Sequence, residues 1–325
     1  MNITEPTKEN IQLAAEIIKN GGLVAFPTET VYGLGADGLN PIATAKIFEV
    51  KKRPSFNPLI LHISQKGELQ KFCYYNDERI EKLIDKFWPG PLTLVLPKTE
   101  IVPDIVTSGN STVAIRMPNH KIALQLIEQC ETPIAAPSAN EFGHLSPTEA
   151  LHVKKSLGNK VDIILDGGKS EVGVESTIIQ FEKGKFYLLR PGGLSKEEIE
   201  KVIGRVEPGI INKEKPNAPG QLPYHYAPAI PLCFLSDDMI NKHKGKKIGV
   251  LFARIPNKNH DFASVKILSE KGDMKESAAN LFKYLHDFEK EDIDVVLVEK
   301  VEERGLGLAI MDRLKKAAKR YEEAH

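Results

Sequence analysis

The stretch IQLAAEIIKNGGLVAFPTETVYGLG, residues 11–35, decides how the chain is read. Ile11, Ala14, Ala15 and Ile18 recur at helical spacing and stop at Gly21-Gly22, where a helix C-cap is expected. Leu23 to Phe26 then form a short apolar run that reads as a buried strand. The run empties into Pro27-Thr28-Glu29-Thr30-Val31-Tyr32-Gly33-Leu34-Gly35, a loop of polar and small residues. A helix, a buried strand and a polar loop at the strand's end are the parts of an α/β domain with a ligand site at a strand end.

The alternation continues outward from there. Asn40-Pro41 is an N-cap followed by proline at the first helical position, and the helix should reach Lys52 and stop before Pro54. Leu59 to Ile63 reads as a strand with His62 beside Ile60 on one face. Thr93–Leu96, Val113–Met117, Ile134–Ala136, Val161–Leu165, Val174–Phe181 and Phe186–Leu189 read as further strands, and Asp77–Phe87, Asn119–Cys130 and Thr148–Leu157 as helices. Strands outnumber helices, which predicts a mixed sheet rather than a purely parallel one. This first domain is placed at residues 1–203. Residues 204–229 carry five prolines (Pro208, Pro216, Pro219, Pro223, Pro228) and little periodicity, and read as a long functional linker. Residues 230–325 read as a smaller α/β unit. Its strands are Ile230–Phe234, Ile248–Phe252 and Val295–Val298. Its helical stripes are Met274, Ala278, Leu281, Leu285, Phe288 and Leu306, Ile310, Leu314, Ala317, Tyr321.

Bulk properties narrow the function. A length of 325 residues suits two domains, and 41% hydrophobic with 27% charged residues is ordinary globular composition. Lys plus Arg and Asp plus Glu both number 44, so the basic excess of a dedicated nucleic-acid binder is missing. Cys73, Cys130 and Cys233 are odd in number, far apart and form no C-x-x-C pair, which predicts a reducing compartment and neither a disulfide framework nor a structural metal site. The start MNITEPTKEN is no secretory signal, and no apolar stretch is long enough to span a bilayer, so a cytoplasmic protein is expected. Gly168-Lys169-Ser170 resembles the tail of a P-loop, but the glycine required five residues earlier is Ile163, so the common phosphate loop is absent.

What stands out is a set of polar residues at the ends of candidate elements. Thr28, Glu29, Thr30 and Tyr32 sit in the first loop; Lys51 and Arg53 end the second helix; Asn57 leads into the strand bearing His62. Ser111 and Thr112 open the strand that Arg116 closes. Ser138, Asn140 and Ser146 follow the strand at Ile134, Ser176 and Thr177 lie in an apolar strand, and Arg190 ends another. Each has an ordinary reading. Lys51 and Arg53 complement a helix C-terminus, His62 fits a satisfied core histidine, and Ser176 a bonded core hydroxyl. So many cations and hydroxyls at strand ends weaken those readings jointly.

The ordered run PTETVYGLGA, Lys51-x-Arg53-Pro54, NPLILHI, AIRMP, APSAN, GVESTI and LLRPG resembles the YrdC-type domain of the threonylcarbamoyl-AMP synthase family, whose signature is the Lys-x-Arg and Ser-x-Asn (Ser138, Asn140) pairs. APGQLPYHYAP and the trailing α/β unit resemble the long form of that family. The resemblance implies a YrdC-like mixed twisted sheet with helices plus a smaller Rossmann-like parallel domain. It implies that L-threonine, bicarbonate and ATP are joined into threonylcarbamoyl-adenylate with release of pyrophosphate. Lys51 and Arg53 would act on the phosphates with Mg²⁺ bridging, and Thr30, His62, Arg116, the backbone of Ala136, and Ser176 would bind threonine. Arg53, Asn57, Thr112, Ser138, Asn140, Ser146, Arg190, His225 and Tyr226 would bind ATP, with no metal held by the protein alone. The product would pass to a tRNA threonylcarbamoyl transferase complex, with direct tRNA binding weak or absent. Residues 204–229 would fold over the nucleotide as a lid. The sequence departs from the long form at Tyr224, where a basic residue is expected before His225-Tyr226.

Two other functions compete. An RNA-binding module would predict a basic excess and aromatic-basic interleaving, neither of which is present. A carbamoyltransferase of the hydrogenase-maturation type would bring cysteine-rich upstream modules, which this sequence does not contain.

Overall fold

The computed structural model describes residues 3–209, 216–222, 225–256 and 261–322. Its strands are β1 (Ile3–Thr4), β2 (Val24–Phe26), β3 (Gly33–Asp37), β4 (Ile60–His62), β5 (Leu92–Pro97), β6 (Thr112–Arg116), β7 (Ile134–Ala135), β8 (Ile163–Leu165), β9 (Thr177–Glu182), β10 (Lys185–Arg190), β11 (Val206–Pro208), β12 (Leu232–Phe234), β13 (Ile248–Phe252), β14 (Ser264–Ile267) and β15 (Val295–Val298). The helices are α1 (Lys8–Lys19), α2 (Pro41–Lys51), α3 (Leu69–Phe72), α4 (Glu78–Phe87), α5 (Asp104–Thr107), α6 (Lys121–Cys130), α7 (Ala150–Leu157), α8 (Lys196–Ile203), α9 (Asp237–Lys242), α10 (Met274–Phe288) and α11 (Leu306–Glu322).

Eleven strands form one sheet in the order β1-β8-β2-β3-β7-β4-β6-β5-β9-β10-β11, with parallel and antiparallel pairs interspersed. The smaller sheet, β12-β15-β13-β14, is parallel throughout. The fold is therefore the expected pair, a mixed α/β sheet and a smaller parallel α/β sheet. None of the described helices is long and apolar enough to cross a membrane.

Strand alternation explains where the large sheet is covered. Leu61, Ile63, Leu94, Val113, Ile115 and Ile179 point to one face and pack with Ile47 of α2, Phe72 of α3, Leu83 of α4 and Ile199 of α8. On the opposite face, α1 and α6 cover only one end, over Val24, Phe26, Ile134 and Ile163. The other end of that face carries Ile60, Val95, Ala114, Ile178 and Leu189, and its covering residue is Ala218, from the proline-rich segment. A helix-free area of sheet is thus left beside His62 and Arg116.

Three local readings change. Residues 33–35, read as loop, begin β3, which pairs antiparallel with β2. The glycines permit it: a Cβ on Gly35 would stand 2.7 Å from Ile134 Cγ2 and 2.8 Å from the Phe26 ring. Ser176, read as inside a strand, lies just before β9 begins at Thr177. β11 falls within the stretch 204–229 and extends the large sheet beside β10.

The two sheets share a core. Val31, Leu145, Val174, Tyr226 and Ala227 join Ala278, Leu281, Phe282, Ile310 and Leu314 in one apolar cluster. At that junction Gly173 has φ +73°, and a Cβ there would meet the Ala279 backbone at 2.5 Å, so only glycine lets α10 come this close.

Candidate active site

The helix-free face holds a partly open cavity of about 530 Å³, the solvent space at its mouth included. Thr30, Arg53, His62, Arg116, Ala136, Ser138, Ser176, Arg190, His225 and Tyr226 line it, all of them singled out from sequence. β4 and β6 pair in register His62↔Arg116, which sets imidazole beside guanidinium on one face. Arg190 closes β10 and is held by its Nη2, which donates to Ser176 O (2.9 Å) and Ser176 Oγ (3.1 Å). The Ser176 hydroxyl in turn shares a hydrogen bond with Thr93 Oγ1 (2.7 Å). Thr28 Oγ1 bridges Thr30 Oγ1 (2.8 Å) and Val31 O (2.7 Å), so the 27–32 loop is ordered by its own side chains.

Five predicted residues stand elsewhere. Lys51, fully buried, lies behind the cavity; its ammonium donates to Ser138 O (2.6 Å) and to Asn140 O, so it fastens the Ser-x-Asn loop to the end of α2. Asn140 Nδ2 ties that loop together by donating to Glu141 O and His144 O. Asn57 follows Arg53, whose Nε donates to Asn57 O (2.9 Å) and whose Nη2 donates to Pro58 O (2.7 Å). The Asn57 side chain is buried and has no hydrogen-bond partner among the described residues. Ser146 Oγ donates to Glu175 Oε1. Thr112 lines a separate groove with Asn110, Gln180 and Asn217.

The electrostatics favour an anionic occupant. Burial pulls the Arg53 pKa down to about 9 and lowers those of Arg190 and Lys51, the last also through Arg53. His225 is held well below its ordinary value by burial and then by Arg53, and burial takes His62 down to about 3, with Arg116 adding to it, so both imidazoles are neutral at pH 7. Desolvated, mutually repelling cations around one cavity gain from a bound polyanion.

Sequence reading missed Glu175 and Arg313, and named Glu29 in the first loop without giving it a role. Glu29 approaches Arg116 Nη2 at 2.8 Å as a buried ion pair, without an N–H aimed at the oxygen. Glu175 accepts from Arg313 Nε of α11 at 2.9 Å. Glu29 and Glu175 stand inside the quoted motifs PTETVYGLGA and GVESTI, so those motifs carried the signal; nothing local to Arg313 marks it. The carboxylate of Glu175 is pushed up by burial, and Arg313 with Arg190 outweighs that, leaving its pKa lowered.

Pro219, Gly220, His225 and Tyr226 of the proline-rich segment line the cavity, and its described residues are tied to both domains. Asn110 Nδ2 donates to Pro216 O (3.0 Å), Lys316 Nζ to Gly220 O (2.6 Å), and Ala227 N to Gly143 O (3.0 Å). Tyr226 sits at φ +65°, a conformation costing a non-glycine residue about 1–3 kcal/mol, and its ring lies under the Arg313 guanidinium, 4.9 Å from centroid to carbon. Tyr224 lies outside the described residues.

Comparison with known proteins fits this geometry. The telomere recombination family, Sua5/YciO/YrdC, matches residues 16–192, and the threonylcarbamoyl-AMP synthase C-terminal domain matches residues 194–319. The threonylcarbamoyl-AMP synthase of Pyrococcus abyssi is 47% identical over 98% of this chain and 97% of its own length. The chain belongs to the threonylcarbamoyl-AMP synthase family. The family's Bacillus subtilis enzyme is 42% identical over 98% of this chain and 96% of its own. The crystal structure of P. abyssi Sua5 complexed with L-threonine superposes with a TM-score of 0.89 at 46% identity, over 96% of this chain and 95% of that one.

Proposed function

We propose that this chain is a threonylcarbamoyl-AMP synthase, a nucleotidyltransferase that joins L-threonine, bicarbonate and ATP into threonylcarbamoyl-adenylate with release of pyrophosphate. The carrying observation is one partly open cavity on a helix-free sheet face that gathers Arg53, Arg116 and Arg190 around neutral His62.

Arg116 anchors the threonine carboxylate, since a guanidinium offers a two-pronged match. Thr30, Ser176, His62 and the backbone at Ala136 frame the rest of the amino acid. Once the amine carries the carbamate, one carbamate oxygen attacks the α-phosphorus, the bond to the bridging oxygen breaks, and pyrophosphate leaves with that electron pair. Arg53 and Arg190 neutralise the phosphates, with Ser138, His225 and Tyr226 beside them. Lys51 holds the Ser138–Asn140 loop in place, and Asn57 and Ser146 act from the cavity's edge. Thr112 reaches ATP only if the nucleotide extends into the neighbouring groove. No covalent nucleophile is required; orientation and charge stabilisation carry the rate. Mg²⁺ enters with ATP as part of the substrate. Glu175, the carboxylate in the cavity lining, is engaged by Arg313.

The adenylate is a labile mixed anhydride, so its consumer must be an acyl-accepting partner, here a tRNA threonylcarbamoyl transferase complex. With equal numbers of acidic and basic residues, direct tRNA binding is weak or absent. Pyrophosphate release with ATP, Mg²⁺, bicarbonate and a panel of amino acids tests the assignment. Release should need both threonine and bicarbonate; equal release with serine or with no amino acid overturns it. Slow turnover of serine is compatible, because one methyl group is worth about 1–3 kcal/mol.

A further inference from the structure

We infer that the second domain completes the active site through Arg313, a positioning residue that holds Tyr226 and Glu175 in their closed arrangement. The inference rests on the reading of the cavity as the synthase's nucleotide site.

Arg313 projects from α11, in the second domain, into the first, and is fully buried. Its Nε donates to Glu175 Oε2 (2.9 Å) and its Nη1 to Pro191 O (2.9 Å), beside the end of β10 where Arg190 stands. Its guanidinium carbon lies over the Tyr226 ring, 4.9 Å from the centroid. Glu175 and Tyr226 both line the cavity. Three positions on along the helix, Lys316 donates to Gly220 O (2.6 Å), and Asp312 pairs with Lys316 at 2.7 Å and with Arg313 Nη1 at 2.7 Å. One turn of α11 therefore grips the closing segment at two points, with Asp312 steadying both cations.

A plain inter-domain tie would not need this placement. Shared apolar packing through Phe282 and Leu281 already joins the domains. Tyr226, in contrast, occupies a left-handed conformation that a non-glycine side chain leaves unless something holds it, and Arg313 stacks on that ring. Gly220 touches the same group: a Cβ there would stand 2.7 Å from Arg190 Cδ and 2.8 Å from Tyr226 Oη. Arg313 thus reaches the nucleotide through Tyr226, and the Ser146 hydroxyl through Glu175.

The test is a double-mutant cycle on the full chain. Affinity is read for a non-hydrolysable ATP analogue by calorimetry, beside the KM values for ATP and threonine and the thermal midpoint. Arg313→Met should weaken the analogue at least 10-fold and leave the threonine KM within threefold. Tyr226→Leu should weaken it as well, and the double variant should lose clearly less than the sum of the two single losses, because the contact between the two residues is shared. Arg313→Lys keeps a charge beside Glu175 but loses the flat face; it should keep the wild-type fold and remain weakened, and it replaces Arg313→Met in the cycle if that variant does not fold. Additive losses, wild-type analogue affinity in Arg313→Lys, or a parallel loss of threonine affinity would each overturn the inference. Analogue binding needs neither threonine nor turnover. A wild-type chain that binds the analogue yet releases no pyrophosphate would sink the synthase reading and leave this result standing.

Discussion

Two buried arginine–carboxylate pairs stand at the cavity, and they are built differently. Arg116 and Glu29 come from neighbouring parts of one domain and approach at 2.8 Å, yet both Glu29 oxygens and Arg116 Nη2 lack an aligned hydrogen bond among the described residues. Glu175 and Arg313 come from different domains and are aligned. One carboxylate oxygen takes the Ser146 hydroxyl and the other the Arg313 N–H, while a second arginine nitrogen holds Pro191 O. A misaligned pair gives up no directed hydrogen bond when its arginine turns to a substrate carboxylate. An aligned pair loses several directed bonds if either partner moves. The first suits exchange with threonine, the second suits a fixed wall.

The largest expected effect separates them by stability. Glu175→Ala strips buried Arg313 of one of its two carboxylate partners, leaving Asp312, and breaking a buried pair costs up to about 3–5 kcal/mol. Glu29→Ala should cost less than half of that, since Arg116 already lacks an aligned bond to it. Urea unfolding of both variants at pH 7 measures the difference; equal losses would erase the distinction. The ligand effects should run the other way. Arg116→Ala should weaken threonine by roughly 2–5 kcal/mol and leave ATP within threefold, while Arg53→Ala should weaken ATP and spare threonine. Titration of each variant against both ligands decides it, and the opposite pattern would mean that the two subsites are exchanged.

These pairs also mark what could be read in advance. Alternation along β4 and β6 puts Ile60 with His62 and Ala114 with Arg116, so the residues of the helix-free face are legible as a period of two. The cations at strand ends were visible for the same reason. Glu29 was in view, but nothing in a sequence says which charge it meets 87 positions away at Arg116. Arg313 was hidden more deeply, because its helix shows an ordinary amphipathic stripe and its function depends on how two domains dock. β3 was missed because two glycines signal a loop; here they make room for the Phe26 ring.

A smaller effect concerns pH. His62 and His152 both have folded pKa values near 3, driven first by burial. An unfolded histidine titrates near 6.5, so between pH 6.5 and 3 the unfolded chain binds the extra proton and stability falls as pH falls. Each contributes a slope of about 1.4 kcal/mol per pH unit within that window. Replacing His152 with Asn should remove roughly one such slope between pH 4 and 6 and change nothing above pH 7. His152 stacks on His286 at 3.8 Å, away from the cavity lining, whereas His62 lies in it. Threonine should therefore reduce the acid sensitivity due to His62 and not that due to His152. Urea midpoints at pH 4, 5 and 6, with and without threonine, check this; an unchanged slope in His152→Asn would show that this residue is protonated in the folded state.

The smallest stability effect belongs to Asn57, and it sharpens the comparison from the opposite side. Its backbone is engaged: Asn57 N donates to Pro54 O at 3.1 Å and Asn57 O accepts from Arg53. Its side chain is buried with both amide atoms unpartnered among the described residues. A buried amide without partners costs about 1–3 kcal/mol, and a side chain that size leaves a cavity when truncated, a penalty of similar scale. The two terms oppose, so Asn57→Ala should change folding stability by less than about 1 kcal/mol. Unpartnered amide atoms are free to meet a ligand, and the Asn57 carbonyl accepts from Arg53, which lines the cavity. The same variant should bind an ATP analogue at least 10-fold more weakly. A loss of more than about 2 kcal/mol in urea would mean the amide already has a partner in the folded chain, placing Asn57 with the fixed wall. Unchanged stability together with unchanged ATP affinity would remove it from the nucleotide site altogether.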